Sequence, residues 1–351
     1  VAAHADLIEF YRSYGESSFE VDEPAYAEVC HHLGDYPGLV ELIAAHDPDA
    51  QQPNLLFAAV HYLILGGAEH PLADVYAGRS NAAPAPLFAD FVQSHRNEVN
   101  ELLRTQRTQT NEVGRSAVLA LMLQDAQRRT GLPLAWIDLG ASGGLNLNVD
   151  QFRIEYRHDG QVTSTGPGDA TVSLECNVRS GQPPLDDKHA DIAWRVGVDR
   201  APIDVTDDQR ARWLKACLWP SKQERHERID AAIEVARSHR PVLIEADAVA
   251  GVEAAIGHAP TDVALVMTTT WVWYYLPPET RAGVVSVLRQ SERPVLWYSL
   301  EGRGVVEPLG ESAGRDVIDS MIGVVVYDGA ASTDAEVLGM AHPHGAWLDW
   351  Y

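Results

Sequence analysis

Residues 136–148, Trp-Ile-Asp-Leu-Gly-Ala-Ser-Gly-Gly-Leu-Asn-Leu-Asn, read as a buried strand running into a turn of small residues and then a helix start. In an open α/β sheet that junction is where a nucleotide cofactor is received. Gly140 allows the turn without a Cβ penalty, and Ser142, Gly143 and Gly144 let backbone N–H groups approach a ligand. Asp138 sets a carboxylate at the end of the strand.

From residue 134 onward the apolar residues come in short runs, at 134–139, 193–198, 242–246, 263–268 and 295–299, alternating with helical stretches. That alternation predicts a mostly parallel sheet covered on both faces. About 40 residues separate the first two runs, too many for a simple crossover, and 171–178 alternates polar with apolar residues. The separation predicts a β insert at about 153–190, a hairpin or lid turning at Gly166-Pro167-Gly168. The closing segments 323–327, 336–338 and 345–350 lack helical periodicity and suggest an antiparallel hairpin at the sheet edge.

Ahead of this, apolar residues recur at helical spacing, as in Leu55, Leu56, Ala59, Val60, Leu63 and Ile64. Breaks at Pro24, Pro37, Pro48, Pro53, Pro71 and the Ala/Pro run at 82–86 predict roughly six helices. The chain thus divides into an α-helical region, residues 1–130, and an α/β region, residues 131–351.

A formal charge of −23, from 27 basic and 50 acidic residues, disfavours nucleic acid and anionic membranes as partners and leaves a small-molecule substrate. Cys30, Cys176 and Cys217 are far apart, with no Cys-x-x-Cys pair, which suits a reducing cytoplasm. No leader-like start and no apolar stretch of about 18 residues is visible, so a cytoplasmic location is expected.

Asp138, Asp199 and Asp247 follow successive apolar runs. A ribose diol presents donors that an ionised carboxylate satisfies, so Asp199 suits a cofactor ribose and Asp247 the adenine edge; each also suits a helix N-cap that needs no ligand. The fourth run leads into Thr268-Thr-Thr-Trp-Val-Trp-Tyr-Tyr-Leu-Pro-Pro278. There Trp271, Tyr274 and Tyr275 supply either a cage over an apolar or cationic group or a core-packed transition into the next helix.

Residues 105–115 are polar between apolar helical stretches. In a helix, Arg107, Asn111, Glu112 and Arg115 share a face: either a wall opposite the Gly140 turn, with the arginines for a substrate carboxylate and Glu112 as a base, or a solvated surface. His31-His32 and His342-Pro343-His344 lack carboxylate or cysteine partners at ligand spacing, and no metal is expected. His342 or His344 suits a general base, although Pro343 and Gly345 better suit a surface turn. Gly-x-x-x-x-Gly-Lys-Ser/Thr and His-Glu-x-x-His sequences are absent, which removes the usual support for phosphotransferase and zinc-protease readings.

The spacing Asp138-x-Gly140-x-Ser142-x-Gly144 resembles the first motif of class I S-adenosylmethionine-dependent methyltransferases, with Ser142 where glycine is usual. Through 53–65, 109–115, 140–147, 197–204, 213–220, 246–248, 275–276, 299–301 and 344–347 the chain as a whole resembles a bacterial family catalogued as a domain of unknown function (DUF2332-like). The resemblance implies an all-α N-terminal region followed by a methyltransferase-like Rossmann sheet, and brings no reaction with it. The likeness to the methyltransferase motif implies S-adenosylmethionine as cofactor, held by Asp138, Gly140, Ser142, Gly143, Gly144, Asn146, Asp199, Asp247 and Thr268. Arg107, Asn111, Arg115, Trp271 and Tyr275 fall on the substrate side, with Glu112 or Tyr274 at the nucleophile.

The expected activity is methyl transfer to a small polar metabolite. A nicotinamide-dependent (NAD(P)) oxidoreductase is the first alternative, although Ser142 and Leu145 stand where its fingerprint has glycine. The second is a non-catalytic scaffold or sensor on a degenerate methyltransferase fold.

Overall fold

The computed structural model describes residues 2–310, 319–329 and 333–351. Helices come first: α1 (Ala2–Tyr14), α2 (Pro24–His31), α3 (Pro37–Ala44), α4 (Pro53–Leu65), α5 (Pro71–Tyr76), α6 (Pro84–Ser94), α7 (Arg96–Thr105) and α8 (Ser116–Thr130). Next are β1 (Leu134–Leu139), β2 (Arg153–His158), β3 (Gln161–Thr165), β4 (Ser173–Ser180) and β5 (Ile192–Asp199). After α9 (Asp208–Ala216) and α10 (Gln223–Ser238) the chain alternates: β6 (Leu243–Glu245), α11 (Ala248–His258), β7 (Ala264–Thr270), α12 (Pro278–Gln290) and β8 (Val295–Gly302). It closes with β9 (Ser320–Tyr327), β10 (Thr333–Ala341) and β11 (Trp347–Trp350).

The chain forms two compact units, Val1–Thr110 with Thr206–Glu227, and Asn111–Val205 with Arg228–Tyr351. In the first, prolines that break the sequence pattern open helices α2 to α6 at their first turn. A proline there has its φ preset and lacks an N–H that would have no helical partner. The core of this unit is aromatic, with Tyr26 stacked on Phe57 at 3.9 Å and Phe19 edge-on to Phe57 at 5.5 Å.

Helix α8 belongs with the sheet unit, and the segment 206–227 belongs with the helical one. α8 is buried from Ser116 to Gln124, more than an amphipathic surface helix allows, and it is tied to the sheet. The Tyr298 hydroxyl donates to Asp125 at 2.7 Å and the Tyr156 hydroxyl to the Ala117 carbonyl at 2.7 Å.

The second unit is a mixed α/β fold around a large, mostly parallel sheet in the order β3-β2-β4-β11-β10-β9-β8-β7-β1-β5-β6. β6, β5, β1, β7 and β8 are parallel neighbours. β1 and β7 are buried at nearly every position, as strands covered on both faces must be. The chain runs from β1 to β5 and β6 on one side, then returns to β7 and β8 on the other. In open α/β sheets such a reversal, here at the carboxyl ends of β1 and β7, is where ligands are received.

Two expectations are corrected here. β9 and β10 do pair antiparallel but do not close the sheet, because β10 pairs onward with β11, and β11 lies parallel to β4. The insert is not a lid: β2 and β4 extend the main sheet, and β3 is its edge. The hairpin turns at Asp159-Gly160, whose φ values of 49° and 76° suit the primed two-residue turn that matches strand twist, and not at 166–168.

Candidate functional site

The glycine turn after β1 carries left-handed backbone at Gly140 (φ 82°), Ser142 (φ 54°) and Gly144 (φ 68°). Ser142 holds this conformation at a cost of roughly 1–2 kcal/mol relative to glycine. Its N–H donates to Asp199 Oδ2 at 2.8 Å, while Asp199 Oδ1 accepts from the Ala201 N–H at 2.9 Å. A Cβ on Gly140 would lie 2.7 Å from the Val272 Cβ, and one on Gly144 2.8 Å from Pro241 Cγ, so both glycines are also demanded by close packing. Gly143 is buried between them.

Parallel register sets Asp138 beside Thr268 on one sheet face. The Thr268 hydroxyl donates to Asp138 Oδ1 at 2.7 Å and accepts from the Trp136 indole N–H at 2.8 Å. Burial pushes the Asp138 carboxyl up to about 7; Asp199 adds to the rise, against the Thr268 hydrogen bond and the Arg115 charge. A carboxyl at a strand end that titrates near neutrality is equipped for proton transfer.

Residues 106–112 are not helical, and a 3₁₀ turn spans Val113–Arg115, so the expected shared helical face does not exist. Tertiary bonds shape the segment instead. Asn111 Oδ1 accepts from the Leu145 N–H at 3.1 Å, and Asn146 is held by the Glu112 carbonyl and the Ser116 hydroxyl. Glu112 caps its own turn through the Gly114 N–H at 3.0 Å and lies 3.8 Å from Arg228. Arg115 donates to the Pro343 carbonyl at 2.9 Å and the Thr270 carbonyl at 3.1 Å.

The turn at His342–Gly345 is packed, not a surface turn. A Cβ on Gly114 would stand 2.3 Å from the His344 carbonyl oxygen, and one on Gly345 2.1 Å from that of Gly114. His342 Nδ1 accepts from the His344 N–H at 3.1 Å.

Glu301, at the end of β8, was not among the sequence candidates for the site. Oε1 accepts from the N–H groups of Val272 and Trp273 at 3.0 and 2.9 Å. Oε2 is buried without a hydrogen-bond partner. Burial pushes this carboxyl up to about 7, opposed by those N–H groups and by the Arg115 charge. The sequence signals are an acid ending the apolar run Val295-Leu-Trp-Tyr-Ser-Leu-Glu301 and the place of 299–301 among the family-like motifs. Beside it Trp271 is left-handed (φ 56°), an outlier for a bulky side chain.

Asp138, Ser142, Asn146, Thr268, Asn111, Glu112 and Arg115 are therefore buried around the carboxyl ends of β1 and β7. Other candidates have different surroundings. Asp247 caps α11 by accepting from Val249 and Ala250 at 3.0 Å. Trp271 donates its indole N–H to Ser320, and Trp273 packs in the core, so the aromatic segment does not form a cage. Tyr274 and Tyr275 are 59% and 73% exposed. Arg107 is exposed and belongs to the helical unit, where the Trp213 indole holds its carbonyl at 2.9 Å. Among the described residues no group of three or more His, Cys, Asp or Glu side chains is disposed to hold a metal ion, and no helix is long and apolar enough to cross a membrane.

A family model described as "Uncharacterized protein conserved in bacteria (DUF2332)" matches residues 9–350. No curated protein matches the chain.

Proposed function

We infer that this chain, which belongs to the DUF2332 family, is an S-adenosylmethionine-binding enzyme that methylates a small polar metabolite in the cytoplasm. The observation that carries the reading is the left-handed Gly140–Ser142–Gly144 turn at the β1/β7 reversal, with Asp138 beneath it and Asp199 at the next strand end. Ligands of open α/β sheets settle at such a reversal, and the Asp199 carboxylate suits a ribose diol. Methyl transfer asks little covalent chemistry of a protein: an in-line approach of the nucleophile and a place for its proton. Asp138, Asp199 and the turn form the cofactor side; Arg115, Asn111 and the 271–275 loop form the acceptor side.

Isothermal titration with S-adenosylhomocysteine tests this directly. Saturable binding supports it; no heat up to about 1 mM, an affinity weaker than about 4 kcal/mol, contradicts it. One observation favours the scaffold reading instead, since Asp199 and Asn111 already accept the Ser142 and Leu145 N–H groups. Turnover of S-adenosylmethionine decides between them, since a scaffold or sensor forms no S-adenosylhomocysteine.

A further inference from the structure

We propose that Glu301 is the catalytic base of this site, taking the proton from an N–H or O–H nucleophile of the acceptor substrate as the methyl group reaches it. The proposal rests on the methyl-transfer reading. Oε1 is clamped by two backbone N–H groups and the Tyr274 N–H also bears on the carboxylate, which fixes its plane, while Oε2 is buried without a hydrogen-bond partner. Buried acceptor oxygens are seldom left this way, and an incoming N–H or O–H group supplies what is missing. The alternatives are already engaged or displaced: Glu112 caps its own turn and faces Arg228, and Tyr274 is exposed. Arg115 exerts its charge on both Glu301 and Asp138, which keeps the two carboxyls within one electrostatic cluster.

The step balances. The nucleophile's lone pair forms a bond to the sulfonium methyl carbon, the C–S bond breaks with its electrons going to sulfur, and the proton passes to Oε2. A sulfonium cation and a carboxylate become a neutral thioether and a neutral acid, so the charge pair disappears inside a buried site. Oε2 is buried, so an acceptor reaches it only when the loop that clamps Oε1 shifts. Its strained Trp271 and the exposed Tyr274 and Tyr275 mark it as the element that does so.

The test compares wild type with Glu301→Gln, which keeps an oxygen for the two N–H groups. S-adenosylmethionine affinity is measured by calorimetry, and S-adenosylhomocysteine formation is followed with a panel of small primary amines and alcohols and with the small-molecule fraction of a bacterial extract. The variant should bind S-adenosylmethionine within about threefold of wild type but form product at least about 100-fold more slowly. The amine and alcohol arms identify the nucleophile class. Product formation within about threefold of wild type, or no product from wild type that binds the cofactor, overturns the proposal. Wild type that fails to bind the cofactor refutes the underlying reading instead, and melting then judges Glu301. A base held at the expense of stability makes the variant melt higher than wild type at pH 8 and not at pH 5; a merely structural clip makes it melt lower at both.

Discussion

His61 in the helical unit and Asp138 and Glu301 in the sheet unit are all buried ionisable groups, and they are held in different ways. In the helical unit His61 is buried, and Nδ1–H is shared between the carbonyls of Ala216 and Leu218 at 3.2 and 3.1 Å. Burial and the nearby His226 lower it to about 3, so it remains a neutral donor at any ordinary pH. In the sheet unit Asp138 and Glu301 are pushed up to about 7, and one oxygen of Glu301 has no donor. Burial perturbs all three groups. What separates a structural group from a reactive one is whether its protonation state is fixed far from neutrality and its hydrogen bonds are complete.

The sharpest way to break the comparison is pH, because His61 and Glu301 carry opposite signs. His61 titrates lower in the folded chain than in the unfolded one, so its contribution is complete above about 6.5 and is lost as pH falls toward 3. Between pH 6.5 and 4 that amounts to about 3 kcal/mol, read as the difference in urea stability between wild type and His61→Asn. Equal acid sensitivity of the two proteins contradicts it.

Glu301 titrates higher in the folded chain, so its contribution is complete below about 4 and is lost as pH rises to 7. Glu301→Gln should therefore gain about 2–3 kcal/mol at pH 8 and little at pH 4. A loss of stability at pH 8 would mean that the carboxylate form is stabilising and that the unbonded oxygen has a role in folding.

Smaller effects sharpen the same contrast. Thr268→Val strips the hydroxyl that links Trp136 to Asp138, at a cost of about 1–2 kcal/mol, and should shift Asp138 further up. A carbon-13 titration of the Asp138 carboxyl that moves down instead contradicts the assigned geometry. Asp247→Ala should cost about 1 kcal/mol as the loss of a helix cap. If the same variant also abolishes S-adenosylhomocysteine binding, Asp247 serves the cofactor as well as the helix.

The sheet was legible where burial on both faces leaves a continuous apolar run. The run at 134–139 coincides with β1, those at 193–198 and 295–299 lie inside β5 and β8, and that at 263–268 overlaps β7 from Ala264. The pairing of β11 with β4 was not legible, since Leu348 meets Val178 through a register that no local pattern encodes. The polar segment at 105–115 misled for a related reason. Its spacing fits a helix, but Arg115 is anchored to Pro343, 228 residues away, and the chain bends to reach it. Glu301 gave only a weak signal because its partners are backbone N–H groups 28 and 29 residues earlier, brought to it by the β7–β8 register.

The central claim is that the β1/β7 reversal receives the cofactor. Its most direct test is electron density from crystals soaked in S-adenosylhomocysteine. The account predicts density over Gly140–Gly144, with the ribose toward Asp199 and the sulfur facing the side of Glu301. An unoccupied turn at saturating ligand, or density bound elsewhere on the molecule, contradicts it.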